Sequence, residues 1–336
     1  TLNLASPLKL LKALQEAGLK LKSTRAEDLK RVEDNPLVPI LLRHRAAKKR
    51  VEQAEALIKH VASDGRIHGR FEPTGTATGR FSSKNPNLQN IGRGDLREAF
   101  VAGPGRRLVV ADYSQIELRA AAAIANEPKM IQAYKDGTDL HALTAAAMQE
   151  IDIGEVTKEQ RQRAKAINFG NLYGQGDEGL ARYARNSYGV DMSVEEAHRF
   201  RLKFFKTYPA LKVWHGKAWQ HVDQCPEWVK TCIGRRRMIP RDASNWDCFT
   251  ALVNTPIQGS TADGIKYAIV LLSQRLPDGA CIVSTVHDEL VVECPEQDAE
   301  AVRKLMIDTM TEAMSDLFPE IPIEVEASIG KSWAEK

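Results

Sequence analysis

Only five cysteines occur in 336 residues, an odd number, and no two of them form a Cys-x2-Cys pair. That scarcity argues against a zinc site and against a disulfide framework, and points to a reducing, intracellular setting. No apolar run is long enough to span a bilayer, and no secretory signal is visible, although the sequence starts at Thr1 without an initiating Met. Internal repeats and low-complexity tracts are missing as well. Excess charge of one sign is also lacking: 47 Lys and Arg against 44 Asp and Glu leave +3, too little by itself to mark a nucleic-acid binder. Any electrostatic case therefore rests on local clusters, namely Arg43-His-Arg45 with Lys48-Lys-Arg50, Arg161 to Lys165, and Arg235-Arg-Arg237. Each such run alone is more often a solvated face. What the chain does have is apolar content, 43% of residues, enough at this length for two or more domains with a sizeable core.

Three separated segments carry chemistry. Leu108-Val-Val-Ala-Asp112-Tyr-Ser-Gln-Ile-Glu117 reads as a short buried strand followed by an alanine-rich helix from about Gln115 to Asn126, so Asp112 falls where the strand ends. Cys281-Ile-Val-Ser-Thr-Val-His-Asp-Glu-Leu-Val-Val-Glu293 has valine-rich arms on both sides of His287-Asp288-Glu289, the pattern of two paired strands with acids at the connection. If those strands lie side by side, Asp112 and Asp288 converge, and two carboxylates so placed repel unless a divalent cation neutralises them. Such oxygen donors suit magnesium or manganese, and a pair of ions about 3.5–4 Å apart holds a phosphoryl transfer in line. Taken singly, each acid could equally be a turn residue at a strand end.

The remaining segment is Arg161-x3-Lys165-x3-Phe169-x3-Tyr173. Spacing by four on a helix puts two cations and two rings on one gently drifting stripe. Cations there would bind a triphosphate while the rings pack against sugar and base. Thr157 with Glu159-Gln160 resembles an N-terminal capping signal, and Gly174 and Gly176 are expected to end the helix. An amphipathic helix with core-facing rings and solvated basic residues would show the same stripe. The other two segments weigh against that plainer explanation.

Further motifs follow in order: Thr76-Ala-Thr-Gly-Arg80-Phe-Ser-Ser, Asn85-Pro-Asn-Leu-Gln-Asn-Ile91, Asp139-Leu-His141, Gly234-Arg-Arg-Arg237 and Asn254-x-Pro-Ile-Gln258-Gly. With them the chain, from Asn3 to Trp333, resembles the polymerase module of family A DNA polymerases, the bacterial DNA polymerase I type. The resemblance implies an α+β right-hand fold with an antiparallel-sheet palm, helical fingers and a partial helical thumb. The expected divisions are a residual thumb over 1–66, a first palm part over 67–130, fingers over 131–248 and a second palm part over 249–336.

Carried over residue by residue, the resemblance implies that Asp112 and Asp288, with the backbone carbonyl of Tyr113, ligate two Mg2+ ions, for which Mn2+ can substitute. Glu289 would support the site near the primer end, and Lys165 would donate a proton to the leaving pyrophosphate. Arg161, Lys165, Phe169, Tyr173, Glu117, Gln115 and His141 would bind the nucleotide, with Glu117 and Tyr173 forming a steric gate against a ribose 2′-hydroxyl. Phe169, where some relatives have Tyr, implies resistance to dideoxy terminators. Arg80, Asn254, Gln258, His287, Arg235 and Arg236 would contact DNA, the first three at minor-groove acceptors shared by all correct pairs. One departure is Thr250, where family members often have Arg; a primer-strand contact is expected to be lost there.

The implied partners are primer-template DNA and dNTPs, with no membrane, a monomeric state, and room for a processivity partner or upstream domains. The implied setting is the cytoplasm of a bacterium or of a phage host, with an organelle left open. Without an upstream exonuclease or a full thumb, an enzyme lacking proofreading and of low processivity is expected. Three rivals stand beside this one: a single-subunit RNA polymerase, a two-metal nuclease, and a non-catalytic DNA-binding protein. Glu117 and Phe169 weigh against the first, the triphosphate stripe against the second and the intact acids against the third.

Overall fold

The computed structural model of the chain describes residues 3–30, 32, 34–92 and 94–335. The chain divides into two compact units at His68/Gly69. In the first, helices α1 (Pro7–Glu16), α2 (Ala26–Lys30) and α3 (Leu37–Ile58) enclose a small leucine core made of Leu10, Leu14, Leu19, Leu21, Leu29, Val38 and Leu41. Ser6 caps α1 and Pro7 opens it, the residue types that a helix start favours. Beyond Leu41 most of α3 is exposed, including Arg43, Lys48, Lys49 and Arg50.

The second unit begins with a hairpin of β1 (Arg70–Glu72) and β2 (Ser82–Lys84), then α4 (Asp95–Glu98), β3 (Arg106–Tyr113) and α5 (Ile116–Ala125). A helical stretch follows: α6 (Pro128–Lys135), α7 (Leu140–Gln149), α8 (Lys158–Leu172), α9 (Asp177–Tyr188), α10 (Val194–Thr207) and α11 (Pro209–Gln220). A hairpin of β4 (Trp228–Lys230) and β5 (Arg236–Met238) leads to α12 (Asn245–Asn254) and α13 (Ser260–Arg275), joined by a wide π-helical turn over Thr255–Gly259. The chain then returns through β6 (Cys281–Val286), β7 (Glu289–Pro295), α14 (Ala299–Ser315) and β8 (Val325–Gly330).

The main sheet is antiparallel throughout, in the order β6-β7-β3-β8. Val109, Val110 and Ala111 of central β3 are fully buried, and β7 is buried along nearly its whole length, so both read as continuous apolar runs rather than alternating ones. Helix α14 packs on β3 and β8 through a core that includes Val302, Met306, Met310 and Met314. Small antiparallel sheets with long helical stretches between them are the α+β architecture expected.

One expectation fails. Cys225 and Cys248 form a disulfide with Cα atoms 6.1 Å apart, while Cys232, Cys281 and Cys294 stay free. The two cysteines are 23 residues apart and meet because α12 folds back beside the segment entering β4. An odd count and the lack of a spacing motif do not report that proximity, which lies within ordinary disulfide reach.

Candidate active site

Asp112 is the last β3 residue opposite β7, paired with Glu289, and the Tyr113 amide donates to the Asp288 carbonyl at 3.3 Å. Strand register therefore brings Asp112 and Asp288 to one end of the sheet, both partly exposed. His287 and Asp288 form a two-residue turn between the paired residues Val286 and Glu289. His287 holds φ at 56°, a left-handed conformation that non-glycine residues adopt at a cost and that tends to persist at functional turns. Desolvation and the nearby Arg80 charge push the His287 pKa down.

Glu289 points the other way. It is 3% exposed and accepts from the Arg97 guanidinium at 3.0 and 3.1 Å and from the Trp333 indole at 2.8 Å. Arg97 itself stacks over the Trp333 ring, 4.2 Å from its centroid. A buried carboxylate needs such a partner, and with it Glu289 braces the turn from behind. Arg97 and Trp333 were not foreseen, because neither lies in a local pattern with the acid it serves.

On the helical side, α8 starts with the capping box that was expected, formed by Thr157 and Gln160, but it ends at Leu172 with Tyr173 as its C-cap, slightly before the two glycines. Arg161 pairs with Asp139 at 2.6 Å, and Asp139 also caps α7 by accepting from the His141 and Ala142 amides. His141 is buried, takes a hydrogen bond from the Asn168 amide at 2.9 Å and lies 6.0 Å from the Phe169 ring. Burial lowers its pKa to about 4, so it is neutral near pH 7. The Lys165 ammonium lies 6.0 Å from the Tyr188 ring centroid. Gln115, in left-handed conformation at the start of α5, accepts from the Tyr134 hydroxyl at 3.2 Å and shares a polar recess with Asp139.

Glu117 joins the two sides. One carboxylate oxygen accepts from the Tyr173 hydroxyl, the other is paired with the Arg80 guanidinium, and burial raises the Tyr173 pKa. Gln258 stands on the π-helical turn and Asn254, the last residue of α12, leads into it; both are half-buried, and Asn254 Oδ1 is buried without a hydrogen-bond partner among the described residues. π-helical turns of this kind recur at functional sites.

The Arg235-Arg-Arg237 run separates into three environments. Arg235 is held by Asp263 at 2.6 Å and by the Thr78 and Gly259 carbonyls, which ties the loop before Arg80 to the π-helical turn. Arg237 donates to the Thr255 hydroxyl at 3.1 Å, while Arg236 is exposed. Thr250 donates to the Asp247 carbonyl within α12.

A sequence profile described as DNA polymerase family A matches residues 1–335. The chain belongs to this family. It is 40% identical over 316 residues to DNA polymerase I of Aquifex aeolicus (strain VF5), which covers 93% of this chain and 53% of that protein. It is 39% identical over 286 residues to the thermostable DNA polymerase I of Thermus aquaticus, covering 80% and 32%. The chain thus spans between about a third and about half of the curated relatives it matches. Among solved structures it is similar to the POL domain of Pol1 from M. smegmatis in complex with DNA primer-template and dNTP. That match has a TM-score of 0.86 and 34% identity, and covers 99% of this chain and 61% of that one.

In this family A chain the oxygen atoms at the sheet end are of the kind that divalent metal ions take. Asp112, Asp288 and the Tyr113 carbonyl offer hard oxygens at one sheet end, while Glu289 is withdrawn into its own ion pair. Among the described residues no group of three or more His, Cys, Asp or Glu gathers as a ligand cluster. Two carboxylates suit an ion that keeps several waters or takes phosphate oxygens, as magnesium does.

Proposed function

We propose that this chain adds deoxynucleotides to a primer 3′-hydroxyl under the direction of a template, with release of pyrophosphate. The observation that carries this reading is the meeting of Asp112 and Asp288 at one sheet end, in a unit where Glu117 links α5 to Tyr173 at the end of α8. Acids alone would suit a nuclease; acids beside a cationic nucleotide helix suit nucleotidyl transfer.

Asp112, Asp288 and the Tyr113 carbonyl would hold magnesium, or manganese in its place. When bound, such ions supply Lewis-acid polarisation of the primer hydroxyl and of the phosphoryl oxygens. Arg161, on exchanging Asp139 for phosphate oxygens, orients the triphosphate, and Lys165 holds the proton that the leaving pyrophosphate takes up. Phe169 and neutral His141 give the sugar and base a surface, with Gln115 beside them. Glu117 and Tyr173, already hydrogen-bonded to each other, leave a 2′-hydroxyl neither space nor a free acceptor, which favours deoxyribose. Arg80, Gln258 and Asn254 would face the minor groove of the nascent pair, and His287 and Arg236 would meet the strands. Arg235 has its guanidinium filled by the protein, so it acts by positioning the Arg80 loop.

The test is extension of a labelled primer on a template in magnesium, with dNTPs, with NTPs and with neither, and with Asp288→Ala as control. Template-matched growth with dNTPs alone, absent in the variant, is the expected result. Growth with NTPs would move the assignment to an RNA polymerase. Shortening without nucleotides would indicate a nuclease, and DNA binding with no reaction a non-catalytic protein.

A further inference from the structure

One ring outside the site above has two cations against it. In the β4–β5 hairpin Trp228 pairs with Met238 and Lys230 with Arg236, so these four residues share one face, and Val229 and Arg237 share the other. The inner face is anchored: Val229 is buried, and Arg237 reaches the Thr255 hydroxyl on the π-helical turn. The outer face meets solvent. Lys230, Arg236 and Met238 are exposed, Met238 by 64%. The Arg236 guanidinium lies 4.6 Å and the Lys230 ammonium 4.8 Å from the Trp228 ring centroid. None of the four residues is acidic, and the adjacent Glu227 is already paired with Arg241 at 3.3 Å. The Cys225–Cys248 disulfide pins the entry to β4 against α12, so the platform is held before any ligand arrives.

Trp228 is half-buried; a cation on a ring that water reaches gains little, about 0.5–1 kcal/mol, and two cations on the same ring repel each other, so folding alone gives weak reason for the arrangement. Its complement is a ligand with flat apolar faces and regularly spaced negative charges. Single-stranded nucleic acid has both, because unpaired bases can stack on a ring while phosphates meet the cations; a duplex hides its base faces. The inner face of the same hairpin holds the turn that carries Gln258 and directly follows Asn254, both of which the proposed function sets against the nascent pair. Among single strands, the one continuous with that pair is the template not yet copied.

We propose that Trp228, with Lys230 and Arg236, is a stacking platform for the unpaired template strand ahead of the insertion site. This rests on the polymerase reading for the identity of the strand. Binding of labelled primer-templates tests it by fluorescence anisotropy, comparing a 5′ template overhang of about ten nucleotides with one of about one, since stacking platforms act on several bases. Trp228→Ala is expected to weaken binding of the long overhang about fivefold or more, in line with the stacking of one base, and to leave the short overhang unchanged. Trp228→Phe restores the long-overhang affinity. Lys230→Ser lowers the salt slope of long-overhang binding by about 0.7, the value for one phosphate of a single strand.

Unchanged binding of the short overhang also shows that the variant is folded. Equal losses on both substrates would mean that the hairpin meets duplex, and no loss on either would mean that it meets nothing; each overturns the proposal. Wild-type protein that prefers long overhangs through Trp228 but extends no primer would leave the platform standing and remove the polymerase reading.

Discussion

The acidic tip and helix α8 are built by different means. At the tip, Asp112 and Asp288 are set by strand register, one on fully buried β3 and the other in a turn clamped between paired strands, and Glu289 is locked behind them by Arg97 and Trp333. On α8 and its neighbours, the cations are set by one-turn spacing and held by partners that a ligand can replace. Arg161 keeps 42% of its side chain exposed while paired to Asp139, whose side chain is 38% exposed. An exposed pair of this kind is worth about 0–1 kcal/mol, so a triphosphate can displace it at little cost. One half of the candidate site is thus fixed in place by the fold, and the other is held by partners that can be exchanged.

The sharpest way to break that contrast is at the tip. Asp112→Ala or Asp288→Ala should cost about 10³-fold or more in extension rate, since a metal site supplies several kcal/mol of transition-state stabilisation, while primer-template affinity stays nearly constant. Extension that survived in either variant would remove the acid assignment. On the helix, Lys165→Ala should lower single-turnover extension by about 10²–10³-fold, the range of a lost general acid, with the loss in kcat rather than in DNA binding. A change in nucleotide KM alone would make Lys165 a binding residue only.

The gate gives a smaller number. Glu117→Ala removes the carboxylate proposed to face the 2′ side, and discrimination against ribonucleotides should fall by about 10–100-fold in competitive incorporation. Unchanged discrimination would leave the Glu117–Tyr173 hydrogen bond with a structural role.

Acidification offers the mildest probe. Burial lowers the pKa of both His141 and His215 to about 4, so the folded chain binds fewer protons than the unfolded chain, where histidine titrates near 6.5. Their stability contribution is complete above the unfolded value and is lost as pH falls toward the folded one. Between pH 7 and pH 5 the loss should be roughly 1–2 kcal/mol per histidine. Urea unfolding of the wild type and of His141→Gln checks it; equal pH slopes in the two proteins would mean that His141 is not the cause.

Much of the local geometry of the candidate site was legible because the chain writes it in short, contiguous patterns. The valine runs around Asp112 and His287-Asp288 fixed strand ends, and the spacing of Arg161, Lys165, Phe169 and Tyr173 fixed a helical face. The Arg97–Glu289–Trp333 brace was not legible, since its members are brought together only by the sheet, and an arginine in a four-residue helix carries no signal for a partner 192 positions away. Arg235 was misleading for the opposite reason. A run of three arginines looks uniform in sequence, yet strand alternation turns its members to opposite sides and Asp263 claims the first. The disulfide was missed on the same ground, because a count of cysteines contains no distances.

Central β3 has a consequence for how the protein comes into being. Its two neighbours in the sheet, β7 and β8, are translated long after it, and two further contacts, from Tyr113 to Met310 on α14 and from Arg119 on α5 to Glu324 just before β8, span 197 and 205 positions. Loop closure over such distances is slow, and domains rich in distant pairings fold late. Asp112 therefore leaves the ribosome well before Asp288 exists, and the two acids meet only once nearly all of the helical stretch between them has been made. An unfinished polypeptide carries Asp112 without Asp288, so the pair of acids at the sheet end exists only in a chain that is almost complete.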